Sequence, residues 1–488
     1  MARGKIAAKD GRAACPHAAE GVVLAAKNTK IAKGMRPSGV EWLGDIPEGW
    51  EVARTKRNYE IVLGKMLCSQ QSEENPIKTP YICAANVHFD GVDTSDLKEM
   101  WFSSDELALY AVNEGDLLVV EGGAGAGGAA ICPKMNRLVG IQNSILVARN
   151  KRYKDNRFLR YFVEAVVKQG YVDFVCNKAT IPHFTKEKLG NMLLPLPPLS
   201  EQRAIADYLD EKCGAIDAAI AEAKKGIEEY KAWKKSLIFE AVTGKRRVGV
   251  FNAEKREAEK IKPSGIPWIG AIPEGWRVMK LRRLGTFANG ISKGGEFFGK
   301  GSPFVSYSDV YKNEALPTVV KGLLLSTPEE QERYSVEKGD VFFTRTSETI
   351  DEIGFASTCL ENISQATFAG FLIRFRPTGH DILPCFSKYY FRNKLVSEYF
   401  AKELVMVTRA SLGQELLKSL PVLLPPIPEQ RAIADYLDEK CAAIDAMVTE
   451  KEALIADLEA YKQSLIYEVV TGKKEPEAAA SGTGQEVA

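Results

Sequence analysis

Apolar and small residues recur in steps of three and four from Ala206 to Ala241, through Leu209, Cys213, Ile216, Ile220, Ala223, Ile227, Tyr230 and Leu237. That spacing lays one stripe along an α-helix and is the a/d seam of a coiled coil. The register returns at Ala434, Leu437, Cys441, Ile444, Val448, Ile455, Leu458, Leu465 and Val469. Ser200 is placed to cap the first helix, Pro428 to open the second, and Gly244 and Gly472 stand where each would stop. Lys234 and Lys462 interrupt the seam at matching points, and Lys451 interrupts it again. Long stems snorkelling at the seam edge account for them, with a register-fixing role as the alternative.

Outside these helices the pattern changes to short apolar runs between turns. PYICAANVHF, GDLLVVE, GAAICP and GIQNSILVAR read as strands, and FLRYFVEAVVKQG reads as a helix. The whole plan occurs twice. EQRAIADYLDEKC stands at Glu201 and again at Glu429, 228 residues on, and SLIFEAVTGK from Ser236 is answered by SLIYEVVTGK from Ser464. Each copy is preceded by a second pair, RPSGVEWLGDIPEGW from Arg36 and KPSGIPWIGAIPEGW from Lys262. Two copies make a duplication rather than a solenoid. The expected fold is α+β: two globular domains separated by an antiparallel coiled coil of two long helices, with a pseudo-twofold internal repeat. The boundaries read as a flexible extension at 1–34, a globular domain at 35–198, a helix at 199–245 and a charged linker at 246–261. A second globular domain follows at 262–426, then a helix at 427–473 and a disordered tail at 474–488.

The antiparallel arrangement follows from reach. A helix of about 44 residues is roughly 66 Å long. A linker of 16 residues spans at most about 53–58 Å, too short to return a chain to the start of a parallel partner. An antiparallel pair needs no such return.

Composition narrows the function classes. Net charge is +1, which favours no partner by itself. Its distribution does, because Lys134, Arg137, Arg149, Lys151, Arg152, Lys154, Arg157 and Arg160 face a single acid, Asp155, in that stretch. A solvated basic face and a phosphate-binding stripe fit this equally. Nine cysteines without a CxxC pair read as reduced thiols. The absence of any run of eighteen apolar residues, or of a signal peptide's apolar core, argues against a membrane span and for the cytoplasm. Gly123-Ala-Gly125-Ala-Gly127-Gly128 satisfies GxGxxG but leads into a short apolar run stopped by Pro133, not into a helix. A dinucleotide or S-adenosylmethionine turn needs the helix. No other catalytic or metal motif is present in the sequence.

The paired PPLSEQRAIADYLDEK and PPIPEQRAIADYLDEK helices, the PSGxxWxGxIPEGW openings and the Gly-Asp strand frames together resemble the specificity (S) subunit of Type I restriction–modification enzymes. The resemblance covers about residues 35–473 and implies two target-recognition domains. It implies double-stranded DNA as ligand, two methyltransferase (M) subunits and two restriction (R) subunits as partners, and no membrane. It also implies a non-catalytic chain with no cofactor of its own, S-adenosylmethionine, ATP and Mg being expected on the partner subunits. The two heads would face one side of a duplex and read a bipartite asymmetric target, directing adenine methylation and restriction by the partners. A free-standing modifying enzyme and a coiled-coil adaptor are the competing classes; missing catalytic motifs oppose the first, differing loops the second.

Major-groove reading calls for amides and guanidiniums. Candidates in the first head are Gln142, Asn143, Asn177, Lys178, Thr180 and His183; in the second, Arg345, Thr346, Ser347, Thr408 and Arg409. For each, a turn or cap role is the competing reading. Lys151, Arg152 and Lys154 are candidates for phosphate contact. Glu201, Gln202 and Arg203, with Glu429, Gln430 and Arg431, are helix-start residues, with docking of a methyltransferase subunit as the alternative.

Overall fold

The seam pattern produces two helices of 44 residues, Leu199–Val242 and Ile427–Val470, in a computed structural model that describes residues 34–151, 154–176, 182–248, 260–346, 352–403 and 411–476. Both helices start one residue ahead of Ser200 and Pro428. The Pro198 carbonyl accepts from the Glu201 and Gln202 N–H groups (3.0 Å each), and the Pro426 carbonyl from Glu429 (2.9 Å) and Gln430 (3.0 Å). The prolines thus supply the first turn's acceptors, and Ser200 lies inside the helix rather than capping it.

The chain divides into two compact units, residues 1–222 with 454–488, and Ala223–Ala453. Each unit holds one head, part of the helix that follows it, and part of the other long helix. In the first unit Ile205, Leu209, Cys213, Ile216 and Ile220 share a core with Leu465, Ile466, Val469 and Val470. Direction is fixed at the ends. Gly472 lies against Pro47 and Trp50, and the strand beginning at Glu51 pairs with Leu193–Leu196, which leads directly into the first helix. The second helix therefore ends where the first begins, an antiparallel pairing. The second unit repeats this, with Gly244 against Pro273 and Trp276 and the strand Arg277–Lys280 paired with Pro421–Leu424.

The seam lysines do more than snorkel. Lys234 Nζ contacts both oxygens of Asp445 (2.9 and 2.8 Å), and Lys462 Nζ contacts both oxygens of Asp217 (2.7 Å each). Each pair ties one long helix to the other inside its own unit, at positions equivalent under the repeat. Lys451 lies over the Tyr230 ring, beside Gly226, whose missing side chain leaves room for the stem. Lys234 and Lys462 thus pair across the two long helices, the kind of contact through which a polar seam residue can specify register.

Both heads carry one topology. In the first, an antiparallel sheet runs in the order Ala129–Ile131, Leu117–Val120, Ile145–Asn150, Tyr59–Leu63; in the second, Ala356–Thr358, Val341–Thr344, Leu372–Pro377, Gly285–Asn289. A smaller sheet in each contains one parallel pair, Gly140–Ile141 with Ile77–Ile82, and Thr367–Phe368 with Phe298–Val305. Leu117 and Val119 pack towards the helices while Leu118 and Val120 pack towards the smaller sheet. Val341 and Phe343 are likewise separated from Phe342. Two-sided burial is why these strands read as unbroken apolar runs.

The Gly-Asp frame before each such strand is an anchored turn. Asp116 Oδ2 accepts from the Asn113 N–H and from Arg149 Nε, and Asp340 accepts from the Glu337 N–H and from Nε and Nη2 of Arg376. On the seam, burial pushes the Cys213 and Cys441 thiols up to about 11. At neutral pH neither forms the nucleophilic thiolate. Iodoacetamide should leave both unmodified in the native protein and alkylate both after denaturation, as peptide mass spectrometry would read.

Candidate nucleic-acid interface

Three loops meet at one end of the main sheet in the first head. The Glu121 N–H donates to the Ser144 carbonyl (2.8 Å), its carbonyl accepts from the Phe184 N–H (2.6 Å), and the Gly123 N–H donates to Pro182 (3.2 Å). The glycine-rich loop turns back into the strand Ala129–Ile131 and opens no helix, which excludes the dinucleotide geometry. Gln142, Asn143 and His183 are brought together here. Gln142 Nε2 donates to Asn143 Oδ1 (2.8 Å) and the Ser144 hydroxyl donates to Gln142 Oε1, so the amide orientations are set locally. The exposed His183 ring holds Nδ1 3.0 Å from Glu121 Oε2. A Cβ on Gly122 would stand 2.8 Å from that nitrogen, so glycine is what lets the ring lie there.

The second head repeats the convergence with other residues. The Arg345 N–H donates to the Phe371 carbonyl (3.0 Å), and the Arg345 carbonyl accepts from the Leu412 N–H (2.7 Å). Thr346 is bridged to Ser411, and its carbonyl accepts from the Tyr307 hydroxyl (2.8 Å). Phe371, at the same turn as Ser144, is 67% exposed. Arg345 and Thr346 are therefore placed as Glu121 and Gly122 are in the first head. Arg152, Asn177, Lys178, Thr180, Ser347, Thr408 and Arg409 lie outside the described residues.

Lys151 and Lys154 do not join the loop end. The Lys151 N–H donates to the Asn58 carbonyl, at the far end of the strand Ile145–Asn150 from Gln142. Six strand residues separate the two ends by about 20 Å. Three other members of the basic stretch are committed internally. Arg149 bonds Asp116, Arg157 bonds Asp155, Asp207 and Asp210, and Arg160 bonds the Phe89 carbonyl and Glu164. Three of the eight basic residues are thus spent on structural bonds, and the stretch does not form one stripe at the loop end.

The helix starts form the joint between head and helix. Gln202 is fully buried: Oε1 accepts from the Asp155 N–H (3.1 Å) and Nε2 donates to the Pro197 carbonyl (2.7 Å). Gln430 repeats this with the Leu383 N–H (2.9 Å), the Pro425 carbonyl (2.9 Å) and the Asp381 carbonyl (2.8 Å). Two turns on, Asp210 accepts from the Tyr161 hydroxyl (2.7 Å) and Asp438 from Tyr389 (2.5 Å). Burial pushes both phenols up, reinforced by those carboxylates. Glu429 is buried beneath Trp276 Nε1 (3.0 Å) and Arg247 (3.2 Å). Of the six helix-start candidates, Arg203 and Arg431 are exposed and Glu201 is half-buried; Gln202, Glu429 and Gln430 face their own heads and present no surface to a partner. Gln430→Ala should leave three backbone groups unpaired and lower stability by about 2 kcal/mol, read as a shift in the urea midpoint.

Sequence reasoning missed Glu121, Phe371, and the roles of Asp210 and Asp438. For Glu121 a signal existed, because aligning Gly115-Asp116 with Gly339-Asp340 places it opposite Arg345.

A duplicated scaffold that gathers unlike loops at one end of each copy, each copy locked to a long helix, defines a tandem-domain protein with one repeated frame. Residues 47–228 and 273–455 match the family described as Type I restriction modification DNA specificity domain, and the chain belongs to that family. It is 26% identical over 438 residues to the type I restriction enzyme MjaVIII specificity subunit of Methanocaldococcus jannaschii, spanning 88% of this chain and 93% of that protein. Against the EcoKI specificity subunit of Escherichia coli K12 it is 24% identical over 450 residues, spanning 88% and 90%. A solved chain from "Structural basis underlying complex assembly and conformational transition of the type I R-M system" is 16% identical with a TM-score of 0.66, covering 88% of this chain and 99% of that one. That likeness concerns the fold. No helix among the described residues is long and apolar enough to cross a membrane.

Proposed function

We propose that this chain reads DNA sequence for a type I restriction–modification complex, each head recognising one half of a bipartite, asymmetric target. Methyltransferase subunits bound to it would modify adenine within that target, and restriction subunits would cleave DNA lacking the modification. S-adenosylmethionine, ATP and Mg would be carried by those partners, leaving this chain the non-catalytic reader. The observation that supports this most is the convergence of differing loops on a shared scaffold, Gln142, Asn143 and His183 in one head and Arg345 and Thr346 in the other. A common frame with variable loop tips is what two readers of different sequences require. Membership of the specificity-domain family supports the same reading.

The test is to co-express the chain with its cognate methyltransferase subunit and map modified adenines across a genome. A two-part motif with a fixed gap is expected, and no motif without the chain. Modification by the purified chain alone, given S-adenosylmethionine and DNA, would sink the reader role in favour of a self-contained enzyme.

A further inference from the structure

We infer that the residue leaving the Gly-Asp strand fixes one base in each half-site: Glu121 selects a base with an exocyclic amine, cytosine foremost, and Arg345 selects guanine. The inference rests on the DNA-reading proposal and goes one step further, to the chemistry of particular contacts.

Glu121 and Arg345 occupy one point of the shared scaffold. Each is the sixth residue after the glycine of its Gly-Asp turn. Each donates its N–H to the carbonyl of the following loop, Ser144 or Phe371, and accepts from the third segment, Phe184 or Leu412. The backbone is the same and the charge is reversed.

The two side chains offer opposite hydrogen-bonding sets. Glu121 is 16% exposed, with Oε2 engaged by His183 and no bond to Oε1 among the described residues. A carboxylate only accepts. Duplex DNA approaching it presents phosphates and groove acceptors, which repel it, and only the amines of cytosine N4 and adenine N6 donate in the major groove. An anion held at this surface is compatible with binding when it meets such an amine. Arg345 has donors only. Its Nη1 reaches the Gly370 carbonyl at 3.4 Å, and its remaining N–H groups make no hydrogen bond among the described residues. That fork matches guanine O6 and N7.

The full chain would be co-expressed with its cognate methyltransferase subunit, and modified sites mapped for wild type, Glu121→Gln and Arg345→Gln. Failure of the wild type to give any motif would reject DNA reading itself, separately from this inference. Given a wild-type motif, Glu121→Gln should relax one cytosine or adenine position in one half-site, with discrimination falling about 5- to 100-fold. Arg345→Gln should shift one guanine in the other half-site towards adenine, since a glutamine amide pairs with adenine N6 and N7. If Glu121→Gln prevents assembly, Arg345→Gln decides alone, because among the described residues that side chain makes a single long bond. Motifs unchanged base for base in variants that still modify DNA would overturn the inference. So would changes spread over several positions or over both half-sites.

Discussion

Replacing residues 262–426 with the equivalent segment of a relative that reads another target should change one half of the recognised sequence and leave the other intact. The expectation comes from register. Val341 pairs with Phe375 as Leu117 pairs with Ala148, and the parallel pair Val305 with Phe368 repeats Ile82 with Ile141. Two heads this alike in backbone can differ in loops without disturbing the frame. Among the described residues the second head's own cores contain none from the first head, so exchange should not strain the remaining unit. The joint must survive the exchange. Gln430, Asp438 and Glu429 stay with the host helix, and the incoming segment must supply a tryptophan at 276 and a tyrosine at 389 to meet them. Genome-wide mapping of modified adenine reads the outcome. A hybrid that modifies DNA but changes both half-sites would show that the heads do not read independently.

The long helices were legible because a dense three-and-four stripe occurs twice, and because antiparallel pairing follows from linker reach. The strands LLVV and VFFT were legible as strands, although their two-sided burial only emerges once the smaller sheet is in place. What the sequence concealed were contacts made far along the chain. Gln202 reads as a helix-start residue, yet its amide is spent on Asp155 and Pro197, and Gln430 reads likewise although it reaches Asp381 and Leu383. Lys234 and Lys462 look like seam defects until Asp445 and Asp217 arrive from the other helix. Charge counting along 134–160 grouped residues that the fold separates. Arg149 turns to the Gly-Asp turn and Arg157 to the long helix, while Lys151 sits at the far end of its strand from the loops. A run in sequence becomes a patch only when the strand does not carry its ends apart.

The last residues of each long helix give a sharper test of the architecture, because one substitution should act with opposite signs at different glycines. Gly472 has φ +71°, and a Cβ there would lie 2.3 Å from Pro47 Cδ and 3.2 Å from Trp50 Cη2. Gly472→Ala therefore meets two costs. The left-handed backbone costs a non-glycine residue about 1–2 kcal/mol. The overlap with the proline ring forces repacking at about 1–3 kcal/mol. A loss of roughly 2–5 kcal/mol is expected in the unit that contains the first head, since Gly472 closes the second helix onto that head's IPEGW segment. Gly244→Ala should do the same to the other unit, with φ +74° and a Cβ 2.6 Å from Pro273 Cδ. Gly214 is the control. It lies inside the first long helix with nothing within 4 Å of its Cβ position, so Gly214→Ala should stabilise by about 0.5–1 kcal/mol through helix propensity. Urea unfolding of the full chain followed by hydrogen exchange would locate each effect. If Gly472→Ala proved as benign as Gly214→Ala, the helix end would not be seated on the tryptophan and proline of the first head, and the repeated VTGK segment would need another explanation.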